Sequence, residues 1–296
     1  MIIVRLTGGM GNQMFQYACG RALSLRTGVP LKLDLMLLLD RTKRPGKWKI
    51  TFRDYDLDMY NIKADIAKRS DVPWQFRSYF RGLAMLVVYQ LERLLVPNPG
   101  REKSPAFDKR ILSLGPNTYL DGLWQSPKYF DDVADTIRKD FTLKNPMSEG
   151  SQKLFDEIRS QNSLCIHVRR TDYVGNAHHD TGIGQSYYDR GIAHIAKTQT
   201  IQKIYVFSDD IAWCRENLHF AIETVYVGNE YAGKKAEEHL ALMSACKHFV
   251  IPNSSFSWWG ALLSGYPDKI VVAPKKWFKD SDDGAEDLIP ASWVRM

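Results

Sequence analysis

The stretch His167-Val168-Arg169-Arg170-Thr171-Asp172-Tyr173 brings an imidazole, two guanidiniums and a carboxylate together directly after an apolar run, Leu164 to Ile166. Each guanidinium offers a fixed fork of N–H donors that matches phosphate oxygens and keeps its charge at any working pH. The apolar run reads as a buried strand, and ligands of parallel α/β sheets collect at strand carboxyl ends. The pattern points to an anionic ligand held beside a group that can take a proton. For an Arg-Arg pair alone, a solvated charge cluster is the plainer reading. The other motifs of the chain reverse that preference.

Alternation predicts the elements that position these residues. From Ser163 the sequence reads as strands over 164–168, 203–207, 224–227, 248–251 and 270–273. Helical patterns separate them over 187–197, 211–217, 237–246 and 257–263. Such alternation predicts a parallel sheet covered on both faces, an α/β fold. The strand ends then carry Ser208-Asp209-Asp210 and Asn253-Ser254-Ser255-Phe256-Ser257-Trp258-Trp259 as well. A serine run before a helix lets hydroxyls and amides converge on an anion. N-capping by Ser255 or Ser257 is the alternative, and Trp258 and Trp259 read as helix packing.

The first half opens as a βαβ unit: a strand over 2–6, a tight turn through Gly8-Gly9-Met10-Gly11-Asn12-Gln13, a helix over 14–27 and a strand over 31–35. Gly28 and Pro30 supply the helix stop. A glycine turn opening a helix is an anion-binding device. Gly9 and Gly11 match two positions of G-x-G-x-x-G, Met14 stands where the third glycine belongs, and Asp34 lies where a ribose-binding acid would fall. A nicotinamide-dependent oxidoreductase is therefore the first alternative function. The basic loop over 41–49, with Trp48, reads as solvated, or as a surface for a lipid headgroup or an acceptor glycan. Asp54, Asp56 and Asp58 form two D-x-D spacings that could hold a divalent cation but read better as a polar turn.

Over 79–95, Leu83, Leu86, Val87, Leu91, Leu94 and Leu95 recur at helical spacing, with Arg77, Arg81 and Arg93 beside them. Burial against the core is the expected fate of that stripe, and a basic helix lying on a membrane is the alternative. A strand over 117–124 and a helix beginning at 126–130 follow. Tyr119, Trp124, Tyr129 and Phe130 suit sugar stacking or core packing equally. The polar stretch over 144–150 reads as a linker.

With 296 residues, 44% hydrophobic and 25% charged, the chain is long enough for two ordinary globular domains. A net charge of +6 is a mild basic bias, suited to an anionic substrate or membrane surface, and no Lys/Arg stripe suggests nucleic acid. Cys19, Cys165, Cys214 and Cys246 form no C-x-x-C pair, so neither a disulfide framework nor a zinc site is expected and a reducing cytosol fits. No signal-peptide pattern opens the sequence, and the longest apolar run is too short to span a bilayer. The expected place is the cytoplasm, with peripheral contact at the inner face of the membrane left open.

Four motifs in register, from Gly8 to Ala18, His167 to Tyr173, Phe207 to Asp210 and Asn253 to Gly260, resemble the bacterial-type α-1,2-fucosyltransferases of glycosyltransferase family 11. The resemblance covers essentially the whole chain. It implies a GT-B-like architecture of two Rossmann-like domains with the nucleotide-sugar site in the cleft between them. The first domain would span 1–148 on the acceptor side and the second 149–296 on the donor side, the last segment being free to pack back on the first. The implied reaction is inverting and metal-independent, needs no cofactor, and moves L-fucose from GDP-β-L-fucose to the 2-hydroxyl of a terminal β-galactoside. Lactose or an O-antigen repeat would serve as acceptor.

By the same likeness Arg169 grips the pyrophosphate and Arg170 orders the site. Gly11, Asn12 and Gln13 approach from the first domain, and Ser208, Asp209, Asn253, Ser254, Ser255 and Phe256 line the nucleotide side. Asp172 is the first candidate base, with a salt bridge to Arg169 as its other possible role. His167 stands beside it, and His178, His179 and Asp180 form a second candidate group. The family pattern places an aspartate, to accept from guanine, where this chain has His239; either Glu238 substitutes or guanine is held differently. A non-catalytic nucleotide- or glycan-binding protein is the remaining alternative.

Overall fold

The computed structural model describes residues 1–41, 52–76, 83–171, 182–278 and 285–296, grouped into two compact units, Met1–Thr142 and Leu143–Met296. The boundary falls six residues before the expected one. Ser148, in the predicted linker, caps helix α4 (Glu149–Ser160) by accepting from the Ser151 amide at 3.3 Å. No helix among the described residues is long and apolar enough to cross a membrane.

The first unit is built on a four-stranded parallel sheet in the order β3-β2-β1-β4: β1 (Ile2–Arg5), β2 (Leu31–Asp34), β3 (Asp65–Ile66) and β4 (Thr118–Leu120). Helix α1 runs over Met10–Thr27, so Gly11, Asn12 and Gln13 lie in its first turn rather than in the predicted loop. It begins early because Gln13 and Gln16, both fully buried, tie that turn down. Gln13 Nε2 donates to the carbonyls of Gly8 (3.0 Å) and Asp54 (2.8 Å), while its Oε1 accepts from the Asp56 amide at 3.0 Å. Gln16 accepts from the Thr7 amide at 3.0 Å and donates to the Gly122 carbonyl at 3.0 Å. Gly20 lets α1 lie close to the sheet, since a Cβ there would meet Val4 Cγ2 at 2.2 Å.

The strand expected over 117–124 shortens to β4. Asn117 (φ 68°) and Trp124 (φ 55°) turn the chain into the left-handed region at either side. Tyr119, Trp124, Tyr129 and Phe130 are all buried, which makes them core rather than a sugar platform. The segment from Ser126 forms two 3₁₀ turns before α3 (Ala134–Asp140). In the D-x-D segment Asp54 pairs with Arg41 at 2.5 Å and Leu57–Met59 form a 3₁₀ turn.

Asp34 is the strongest correction in this unit. It is 1% exposed and accepts from Tyr119 Oη at 2.6 Å and from the Met36 amide at 2.9 Å. It belongs to a buried network in which Arg5 reaches Glu92 (3.1 Å) and Asp121 (3.4 Å), both shared with Arg101 at 3.2 Å. It is not placed to read a ribose. Removing one member of such a network strands the others' charge, so Arg5→Ala should cost the first unit about 3–5 kcal/mol. Urea unfolding checks this; a loss below ~1 kcal/mol would contradict it.

Glu92 sits on α2 (Leu83–Leu95), and its inward pull fixes which side of that helix is buried. The expected burial of the aliphatic stripe fails over 87–95, where Val87, Leu91, Leu94 and Leu95 face outward, while the side chains of Leu83 and Leu86 lie outside what the structure describes. Residues 77–82 lie outside the described residues.

The second unit carries a six-stranded parallel sheet, β10-β9-β8-β5-β6-β7. Its strands are β5 (Ser163–Val168), β6 (Lys203–Ser208), β7 (Thr224–Tyr226), β8 (His248–Val250), β9 (Val271–Ala273) and β10 (Val294–Arg295). Helices α5 (Gln185–Ile195), α6 (Ile211–Asn217), α7 (Glu237–Ala245) and α8 (Ser255–Leu263) fall within two residues of the predicted bounds. The last segment adds β10 to the edge of this sheet, beside β9. The four cysteines are buried free thiols, and Trp258 and Trp259 are fully buried at 5.2 Å from each other.

Candidate active site

The order of the second sheet reverses between β5 and β8, and ligands of open parallel sheets bind at the carboxyl ends of such a switch point. His167 and Val168 end β5, residues 169–171 follow it, and residues 253–256 follow β8. Two tyrosines of α5 fix these ends: Tyr188 Oη donates to the His167 carbonyl at 3.1 Å and Tyr187 Oη to the Ile251 carbonyl at 2.7 Å. The rings of His167 and Phe256 lie 5.9 Å apart, which joins the two motifs.

Asp209 organises the arginine loop. Val168 pairs with Ser208 across β5 and β6, so the residues that follow, 169 and 209, emerge side by side. The carboxylate pairs with Arg169 Nη1 at 3.3 Å and accepts from the Arg170 amide at 2.9 Å, the Thr171 amide at 3.1 Å and the Thr171 hydroxyl. Burial opposes its charge, but the Arg169 guanidinium and these donors outweigh it and hold its pKa below the ordinary value. Asp209 thus orients Arg169 and ties down the loop that follows β5.

Arg170 is held differently. Its guanidinium stacks 3.5 Å over Trp213 and its Nε donates to Asp210 at 3.4 Å. Asp210 also caps α6 through the Trp213 amide. Ser208 turns inward, accepting from the Asp210 amide at 2.9 Å.

His167 is buried, and its Nδ1 has no hydrogen-bond partner among the described residues. Burial, then the Arg169 charge, push its imidazole down to about 3, against the pull of Asp209. It is neutral at working pH and a weak base. His239 is also pushed down by burial. Its Nε2 lies 2.9 Å from the Gly228 carbonyl; a carbonyl only accepts, so this nitrogen carries the hydrogen and Nδ1 is left as acceptor. Glu238 is engaged within the second unit. Both its oxygens accept from Ser148, at 3.0 Å from the amide and 2.8 Å from the hydroxyl, which locks α7 to α4.

Buried histidines with lowered pKa values couple stability to pH. Below the ordinary ~6.5 the unfolded chain binds protons that the folded chain refuses. The stabilisation is complete above ~6.5 and is lost as pH falls, for His167 at up to about 1.4 kcal/mol per pH unit. Urea unfolding at about pH 7.5 and about pH 5.5 should show the second unit weakened in acid, and His167→Gln should shrink the difference. An unchanged difference in the variant would contradict the assignment.

At β8, Asn253 donates to the Trp277 carbonyl at 3.0 Å and is buried with Ser254. Ser254, not Ser255 or Ser257, is the N-cap of α8, and its side chain makes no cap bond. The opening turn of α8 therefore presents its dipole end at the switch point without a side-chain cap. Asp172, His178, His179 and Asp180 lie outside the described residues.

Residues 85–296 match the family model for glycosyl transferase family 11. The chain belongs to that family. Over its full length it is 32% identical to the alpha-1,2-colitosyltransferase of Escherichia coli, covering 99% of that protein. It is 30% identical to the O-antigen biosynthesis glycosyltransferase WbnK of Escherichia coli, across 98% of this chain and 99% of the other. Galactoside alpha-(1,2)-fucosyltransferase 2 of Sus scrofa is 28% identical over 90% of this chain and 70% of its own length. Membership of family 11 makes this chain a glycosyltransferase rather than a nicotinamide oxidoreductase, and Asp34 serves the buried network of the first unit.

Sequence reasoning missed Tyr187, Tyr188 and Trp213, the supports of the site. Paired tyrosines at a helix start and a tryptophan three residues after Asp210 were the available signals.

Proposed function

We propose that this family 11 glycosyltransferase, of GT-B-like plan, moves L-fucose from GDP-β-L-fucose to the 2-hydroxyl of a terminal β-galactoside with inversion, giving an α-1,2 linkage. One observation carries the reading. Arg169, held by Asp209, and the uncapped start of α8 stand at adjoining strand ends, in a chain related along its length to enzymes named for α-1,2 transfer.

In this reading Arg169 and the opening turn of α8, with Ser254 and Ser255, receive the pyrophosphate, and Asn253 and Phe256 hold the loop in place. The galactose O2 forms a bond to the anomeric carbon as the bond from that carbon to the β-phosphate oxygen breaks. The electron pair leaves with GDP, and the hydroxyl proton passes to Asp172. Fixed donors stabilise the charge that develops on GDP, which is the work a metal would otherwise do. His239 Nδ1 offers a single acceptor on the nucleotide side.

The likeness to a colitosyltransferase supports a second donor reading. Colitose is fucose without the 3-hydroxyl, so the two donors differ by one group. A site that hydrogen-bonds a hydroxyl rejects the deoxy sugar by about 10⁴–10⁵, whereas an apolar site rejects an added hydroxyl by only about 10². Initial rates with GDP-L-fucose and GDP-colitose on lactose should favour fucose. A preference of tenfold or more for GDP-colitose would assign the enzyme to colitose instead.

A further inference from the structure

The aliphatic side of α2 faces outward. Val87 and Leu91 are about half exposed, Leu94 is 80% and Leu95 69% exposed, and together they form one stripe at helical spacing. Trp74, on a 3₁₀ turn packed against α2, is 71% exposed. Isolated exposed leucines are ordinary, but a stripe of this length marks an interaction surface. The helix cannot roll to bury it. Glu92 on its inner side is tied to Arg5 and Arg101, and Val96 beyond its end packs with Val72 and Phe76.

Charge decides what covers the stripe. Residues 68–103 contain seven Lys or Arg against three acids. Each acid is turned to a partner inside the unit. Asp71 pairs with Lys32 at 2.9 Å, Glu92 with the two arginines, and Glu102 accepts from the Leu123 and Trp124 amides. Lys68, Arg69, Arg93 and Lys103 are exposed. Among the described residues of this stretch, the exposed charges are thus basic and no acid is exposed. A second copy of the chain would set like charges against each other, whereas an anionic lipid surface complements them.

We infer that this face of α2 docks on an anionic bilayer, with Leu91, Leu94 and Leu95 among the acyl chains and the basic residues at the headgroups. The surface is separate from the transfer reaction and does not depend on the donor.

Cosedimentation of the full chain with vesicles tests this. Vesicles of phosphatidylglycerol in phosphatidylethanolamine, roughly one part in four, should bind at least about tenfold more tightly than pure phosphatidylcholine, with binding weakened by salt. Leu94→Glu combined with Leu95→Glu should reduce binding by about tenfold or more, with far-UV circular dichroism unchanged. Failure to bind the anionic vesicles, or equal binding by the double variant, would overturn the inference. So would a dimer in sedimentation velocity that the double variant dissolves, because a second copy would then cover the stripe.

Discussion

Arg169→Ala is expected to lower kcat/KM by about 10²–10³, the range for removing one preorganised donor from a developing negative charge. The cost falls on the transition state, because departing GDP carries more charge on its bridging oxygen than the bound donor does. The fold should tolerate the change. Asp209 keeps the Thr171 hydroxyl and two amides as donors, so its carboxylate is not stranded. Arg169→Lys restores charge without the fork and should recover only part of the rate. Steady-state kinetics alongside circular dichroism provide the check; an Ala variant within a few-fold of wild type would remove Arg169 from the pyrophosphate.

Asp172→Asn should lower kcat by about 10²–10⁴, the usual contribution of a positioned base. The base must be deprotonated to act. The rate of the wild-type enzyme therefore rises with pH through the base's pKa and then levels, and the variant loses that rising limb. His167 cannot supply it, since an imidazole pushed down to about 3 has little affinity for the proton. A variant that kept the wild-type rate and pH profile would shift the role to His178, His179 or Asp180.

The candidate site of the second unit was legible in sequence to the extent that it follows chain order. Strands β5, β6 and β8 are fully apolar at their centres, as buried parallel strands must be, so their ends and the motifs after them could be located. The pairing of Asp209 with Arg169 was not legible. It depends on the β5–β6 register, which places residues forty apart side by side. Helix α1 was misplaced because Gly11 and Asn12 are poor helix formers, and long-range bonds from Gln13 and Gln16 override that preference. Asp34 shows the opposite error, a spacing that matched a motif while the side chain was engaged by Tyr119. Periodicity in α2 revealed an amphipathic helix but not which side is buried; Glu92 and its two arginines decide that.

The most direct measurement is a mass-spectrometric transfer assay with GDP-fucose, GDP-mannose and UDP-galactose against lactose, in excess chelator, followed by NMR of the product. The account predicts a deoxyhexose added from GDP-fucose alone, α-linked to galactose O2, at an undiminished rate despite the chelator. Transfer from GDP-mannose or UDP-galactose in its place, a linkage to another hydroxyl, or a rate abolished by the chelator would contradict it.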